Sequence, residues 1–355
     1  MKAAIYSPYL DTYGGGERYM MTIAETLCKR FDVDVLLDNH LFPQKDKLKN
    51  TLSERFNLNL DRVSFIKAPI GIGSTFFQRI SFLKKYEILF YLTDGSIFYS
   101  SAKKNILHIQ SPIKGQAAKS LWGKLKLKGW NLIIFNSQFT KEHSQKYWPI
   151  RSSVIYPPVD VEKIKSGEKK KYILSVGRFF GYLKDKKHEV MIDSFKDLIN
   201  SKKAEGWSLI LAGSASAGDE DYLKSLQERA SNFPVKFYPN LNYEDLVKLY
   251  GESTIYWHAA GYEELDPTKM EHFGITTVEA MGAGCVPIVI AKGGQVEIVG
   301  NKISGYIWQN LDELKDLTEK LINDEGLRKQ VSLKAIQRAK EFSKSKFEEK
   351  IESIS

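Results

Sequence analysis

Apolar runs of four to six residues recur along the chain, and stretches with helical apolar spacing follow many of them. In the first half the runs fall at residues 3–7, 34–37, 88–91, 106–109 and 132–136, and the clearest amphipathic stretch is 17–31. In the second half they fall at 172–176, 207–212, 235–238, 254–257 and 285–290, with helical stretches at 188–200, 219–231, 243–250 and 275–281. Strands that are apolar throughout, alternating with helices, belong to parallel sheets covered on both faces. Two such series in 355 residues predict two doubly wound α/β domains. Tyr156-Pro-Pro-Val-Asp160 marks the boundary, because paired prolines forbid helix and favour an extended connection. The domains expected are 1–160 and 161–335.

Composition narrows the class. An apolar share of 43% is ordinary for soluble cores, and no run approaches the 18 or more apolar residues of a membrane span. The opening Met-Lys-Ala-Ala-Ile-Tyr-Ser-Pro is too polar for a signal peptide and reads as a first strand. Cys28 and Cys285 have no metal-ligand spacing and read as buried, inert thiols, so a cytoplasmic location is expected. Charge is uneven: residues 1–160 hold 23 Lys+Arg against 13 Asp+Glu, and the remainder is nearly balanced. Lysines interleave with Leu, Trp122 and Trp130 between Lys114 and Trp130. That pattern suits an anionic membrane surface, reached from the inner face, as well as an ordinary solvated helix. Nucleic-acid binding is not expected, because no recognised motif supports it.

Ligands in doubly wound domains bind at the carboxyl ends of the strands, which selects a few loops. Gly14-Gly15-Gly16-Glu17-Arg18 precedes a helix, so backbone there can approach a phosphate; a flexible turn is the plainer reading. Gly177-Arg178 ends a strand, and Lys186 follows eight residues later before a helix; the two cations suit a departing diphosphate. His108 closes an apolar strand; such a histidine is more often structural, but facing a cleft between the domains favours the catalytic reading, and His108 is a candidate catalytic residue. His258 ends another strand, and His272 adjoins Glu271. No His-Glu-x-x-His spacing marks a metal site, so none is expected.

The most specific stretch is Glu271-His-Phe273-Gly274-Ile275-Thr276-Thr277-Val-Glu279. On one continuous helix its two carboxylates would lie about 12 Å apart, beyond the roughly 5–9.5 Å of paired glycosidase carboxylates. Glu271 is therefore placed in a loop and Glu279 inside the helix. Between them the amides of Phe273, Gly274, Ile275, Thr276 and Thr277 form a helix N-terminus suited to a phosphate. Sugar, diphosphate and ribose then line up along the segment.

Together these residues resemble the retaining nucleotide-sugar glycosyltransferases of family 4, with the GT-B fold. Glu271-x7-Glu279 followed by Ala-Met-Gly-Ala-Gly-Cys-Val-Pro matches the family's signature, and Arg178 with Lys186 matches its phosphate pair. The Arg178-to-Lys186 loop is slightly longer than in common examples, which makes Lys187 the alternative. Asn136-Ser-Gln-Phe-Thr140 and Val154-Ile-Tyr-Pro-Pro-Val-Asp160 resemble the end of the family's first domain and its linker. Gly14-Gly15-Gly16-Glu-Arg resembles its first donor loop, which makes Gly15 and Gly16 donor-binding candidates, and His108 falls where the family often carries an active-site histidine.

The resemblance implies two Rossmann-like domains facing a central cleft, the acceptor side in the first. The second holds the donor, and a final helix, 336–355, crosses back. Arg178 and Lys186 would hold the diphosphate, Glu279 the ribose and Glu271 the sugar. The acceptor would enter near His108, Gly15 and Gly16. The implied reaction moves a sugar from a GDP- or UDP-linked donor, with mannose or glucose types favoured, to a saccharide or lipid-linked acceptor in surface polysaccharide synthesis. Retention of configuration is expected, with no metal and no cofactor. The alternatives are an inactive binding subunit of the same fold, a sugar phosphorylase or an epimerase. A nicotinamide dehydrogenase has the wrong glycine fingerprint.

Overall fold

The computed structural model describes every residue except Ile72, 115–119 and Asn301. The chain forms two compact units, Met1–Pro158 with Ser345–Ser355, and Val159–Lys344.

The first unit contains β1 (Lys2–Tyr6), α1 (Gly15–Leu27), β2 (Asp32–Leu37), α2 (Lys45–Phe56), β3 (Val63–Lys67) and α3 (Phe76–Leu83). It continues with β4 (Ile88–Leu92), β5 (Lys104–Ile109), α4 (Leu121–Leu127), β6 (Leu132–Phe135), α5 (Gln138–Ser144) and β7 (Ser152–Val154). Its sheet runs β3-β2-β1-β4-β5-β6-β7, and every pairing is parallel.

The second unit contains β8 (Tyr172–Val176), α6 (His188–Asn200), β9 (Ser208–Gly213), α7 (Glu220–Arg229), β10 (Val235–Pro239) and α8 (Tyr243–Glu252). Then follow β11 (Ile255–His258), α9 (Ile275–Gly282), β12 (Val286–Ile290), α10 (Gln295–Val299), β13 (Tyr306–Trp308), α11 (Leu311–Asn323) and α12 (Glu325–Ala339). This sheet is also wholly parallel, in the order β10-β9-β8-β11-β12-β13. Central strands such as β4 and β12 are buried at every position, which is why their sequences are continuous apolar runs. Three strands beyond those expected, β3, β7 and β13, all lie at sheet edges. They are short or partly exposed, so they carry no long apolar run.

The last helix, α13 (Lys344–Ser353), belongs almost wholly to the first unit. Phe347 and Ile351 sit in that unit's core, with the Phe347 ring 4.8 Å from the Tyr19 ring. The chain leaves the second unit at Lys344, beyond the end of α12.

His108 is part of the same core and is fully buried. Its ring stacks on Tyr19 at 3.9 Å, and its Nδ1 donates to the Ile134 carbonyl at 3.2 Å. Burial, only partly offset by that carbonyl, pushes the imidazole down to about 3. The histidine expected at the acceptor side is therefore neutral and buried, stacked on Tyr19. The unfolded chain takes up a proton near pH 6.5 and the folded chain does not, so this group's contribution is complete above pH 6.5 and falls away on acidification towards pH 3. Between pH 6.5 and 5 the loss is about 2 kcal/mol. His108→Phe should flatten that slope in urea titrations of the first unit; parallel slopes in the two proteins would show that His108 is not held neutral.

Candidate active site

Strand order reverses between β8 and β11, since β9 and β10 lie on one side and β12 and β13 on the other. Loops leaving the carboxyl ends of these two neighbours diverge and open a crevice. Both loops are built by close backbone approach. A Cβ on Gly213, at the end of β9, would lie 1.9 Å from the Gly177 carbonyl oxygen. The loop after β8 is fastened there by Gly177 N to Ala212 O and Phe179 N to Ser214 O, both 2.9 Å. Gly177 in turn leaves room for the Lys186 side chain, whose Cγ lies 2.7 Å from where a Cβ would sit. Lys187 adopts a left-handed conformation, φ 57°, and starts α6.

The loop after β11 carries Glu271. Gly293 and Gly294, after β12, lie against it: Gly294 N donates to the Glu271 carbonyl at 2.8 Å, and a Cβ on Gly293 would fall 2.2 Å from that oxygen. Gly274, at φ 113°, turns the chain into α9. Farther out, Lys187 pairs with the Glu264 carboxylate at 2.9 Å, and Lys292 donates to the Glu264 carbonyl at 2.6 Å.

These constraints bring Lys186 Nζ to 2.8 Å from Glu271 Oε2. His258 Nε2 lies 3.5 Å from the same oxygen. The His258 Nδ1 accepts from Ala260 N at 3.2 Å and from the Gln295 amide nitrogen, while the Gln295 oxygen accepts from the Thr277 hydroxyl at 2.7 Å. With Nδ1 occupied as an acceptor, the imidazole proton is on Nε2, aimed at Glu271. Burial lowers the His258 pKa, so the ring is neutral at pH 7. Burial pushes the Glu271 carboxyl up, but the Lys186 ammonium and His258 outweigh it and hold the carboxyl well below its usual range. Burial pulls the Lys186 ammonium down, and Glu271 and Asp185 reverse that, so its pKa is raised. The result is a cation and an anion in contact, 19% and 23% exposed, and so open to a ligand on one side.

The remaining expected residues occupy distinct places. Arg178 is exposed, 5.7 Å from the centre of the Phe180 ring, and its charge is felt by the Asp219 carboxylate. Glu279 is buried in the second turn of α9 and accepts from the Tyr250 hydroxyl at 3.0 Å. Thr276 meets the Tyr256 hydroxyl at 2.8 Å, and Ile275 is half-buried beside it. Phe273 is buried edge-on against Phe342, and the Thr277 hydroxyl serves Gln295. Gly15 and Gly16 open α1 in the other unit; the space beside Gly16 is filled by the Gln110 carboxamide, 2.2 Å from a built Cβ. Lys186, Glu271 and the start of α9 are thus assembled at one strand junction, while Gly15, Gly16 and His108 lie in a different compact unit.

Sequence reasoning passed over Gln295 and gave His258 only a minor place. The available signal was Gly293-Gly294-Gln295, directly after an apolar strand of the same domain.

A conserved-family profile described as "Glycosyl transferases group 1" matches residues 158–338, about half of the chain. The chain belongs to that family and is a glycosyltransferase. A relative in Mus musculus, named GDP-Man:Man(3)GlcNAc(2)-PP-Dol alpha-1,2-mannosyltransferase, is 29% identical over 207 residues, which are 52% of this chain and 40% of that protein. The protein of the same name in Xenopus laevis is 25% identical over 370 residues, 82% of this chain and 73% of its own length. The chain thus spans less than half of the first relative and about three quarters of the second. A solved glycosyltransferase from Rickettsia africae superposes with a TM-score of 0.73 at 18% identity, covering 99% of this chain and 97% of that one. The two doubly wound parallel sheets are those of the GT-B fold.

Proposed function

We propose that the second unit binds a nucleoside-diphosphate sugar and that the enzyme transfers the sugar, with retention of configuration, to a lipid-linked saccharide. The observation that carries this reading is the contact of Lys186 with Glu271 at the β8–β11 junction. Lys186 remains cationic at neutral pH and reaches a diphosphate as Glu271 turns to the sugar hydroxyls. Glu271 remains an anion and so can only accept hydrogen bonds, which suits hydroxyl groups. Arg178, on the same loop as Lys186, supplies a second positive group for the leaving diphosphate. Amides at the start of α9 assist, and Glu279 takes the ribose.

GDP-mannose is the first choice of donor and a lipid-linked glycan the first choice of acceptor, because the relatives' names specify both. The two cationic side chains also lead us to propose that no metal is required. Chelation with EDTA should then leave the transfer rate unchanged, and the product should keep the donor's anomeric configuration.

Thermal unfolding supplies the test of the donor. GDP-mannose at about 100 times its Kd should stabilise the second unit by about 2.7 kcal/mol, a rise of about 5 °C or more. UDP-glucose and UDP-N-acetylglucosamine at the same concentration should give less than half of that. Equal shifts for all three would remove the choice of base, and no shift with any of them would remove the donor site. Turnover by the purified protein separates an enzyme from an inactive binding subunit.

A further inference from the structure

The first unit exposes large apolar side chains that its fold does not use. Phe77 is 81% exposed, Trp122 76% and Leu121 75%. Phe76 and Phe77 open α3 behind a Thr75 cap, with ring centroids 5.5 Å apart, and Phe76 lies 6.0 Å from the exposed Tyr99 ring. In α4 the inward face is Gly123 and Leu127, so Leu121, Trp122, Leu125, Lys124 and Lys126 face out.

The segment 98–101 joins the two helices. Ser101 Oγ donates to the Ile80 carbonyl at 2.6 Å, and the Arg79 guanidinium lies 5.3 Å from the Phe98 ring. Trp130, just after α4, is buried and donates Nε1–H to the Phe98 carbonyl at 3.0 Å. The two tryptophans of residues 114–130 therefore differ: Trp130 anchors the helix and Trp122 projects. Lys119 of that stretch lies outside the described residues.

Charge follows the same surface. No Asp or Glu occurs between Asp94 and Glu142, a stretch with eight lysines, and none occurs between Asp61 and Glu87, a stretch with five Lys+Arg. Stretches that carry aromatic and aliphatic side chains with lysines and no acidic residue have the composition that enters the headgroup region of an anionic bilayer. Each lysine near such a surface adds to the attraction, and a buried protein partner would leave these ammonium groups needing carboxylates.

We propose that α3, residues 98–101 and α4 form a docking surface for an anionic lipid bilayer, with Phe77, Leu121 and Trp122 entering the headgroup region and Lys124, Lys126 and Lys128 meeting lipid phosphates.

Co-sedimentation of the full chain with vesicles tests this. One set of vesicles is phosphatidylcholine alone; the other includes about 30% phosphatidylglycerol, a composition that gives the negative surface potential basic segments require. Wild type should bind the anionic vesicles about tenfold or more tightly than the neutral ones, and should weaken as salt rises. Phe77→Ser with Trp122→Ser should lower anionic-vesicle binding about tenfold while the thermal midpoint stays put, since both side chains project from the surface. Lys124→Gln with Lys126→Gln and Lys128→Gln should abolish the preference for anionic vesicles. Equal binding to both vesicle types, no binding, or wild-type binding by either variant would overturn the proposal.

Discussion

Lys186→Ala lowers kcat/KM for sugar transfer by about 100- to 1000-fold, the usual consequence of losing one group that stabilises developing negative charge. The loss should appear mainly in kcat, because charge on the diphosphate grows as the sugar departs. The fold survives the substitution. Glu271 keeps the His258 Nε2–H on the same oxygen and is 23% exposed, so solvent reaches the carboxylate that Lys186 releases. Lys187→Ala is the informative neighbour. It breaks the pair with Glu264 and loosens the loop ahead of Glu271, but it removes no group from the Glu271 carboxylate. Its effect should stay below about tenfold, within the range of a lost partly exposed ion pair. A Lys186→Ala enzyme with wild-type kcat/KM, measured beside Lys187→Ala, would end the assignment.

Gly293→Ala is expected to damage both stability and transfer. The new Cβ meets backbone: 2.2 Å from Glu271 O, 3.1 Å from its C and 3.3 Å from its N. Backbone cannot rotate aside as a side-chain tip can, so the Glu271 loop must move. The residue also sits at φ +74°, where a Cβ costs about 1 kcal/mol before any clash. A loss of about 3 kcal/mol or more is expected, read as a lower urea midpoint for the second unit. A shift of Glu271 by about 1 Å should cost transfer about 100-fold. Gly300→Ala separates strain from clash. Gly300 has φ +55° and nothing within 4 Å of a built Cβ. It should lose only about 1 kcal/mol and keep its activity. Equal damage by the two substitutions would show that contact with Glu271 is not the cause.

The parallel sheets were legible because a strand buried on both faces must be apolar at every position, as β4, β8 and β12 nearly are. The edge strands β3, β7 and β13 were not, since one neighbour and partial solvent exposure relax that demand. At the site, Glu271 and Lys186 were legible as residue types in loops that follow strands, and Gly274 as the opening of a helix. His108 shows the limit of such reading: its place at the end of an apolar strand was legible, but its stack on the Tyr19 ring at 3.9 Å was not.

By itself the sequence determined two series of parallel strands with their helices, the glycine turn at Gly274 that opens a helix, and the basic half of the chain. These follow from local composition and period, which neighbouring residues set. Tertiary structure decided which lysine meets Glu271, that Gln295 fixes the proton on His258, and that Phe77 and Trp122 project while Trp130 is buried. Lys186 and Glu271 are 85 positions apart, and Gln295 and His258 are 37. Such pairs meet only because strand order places β8 beside β11 and β11 beside β12, a choice made by the whole sheet packing at once.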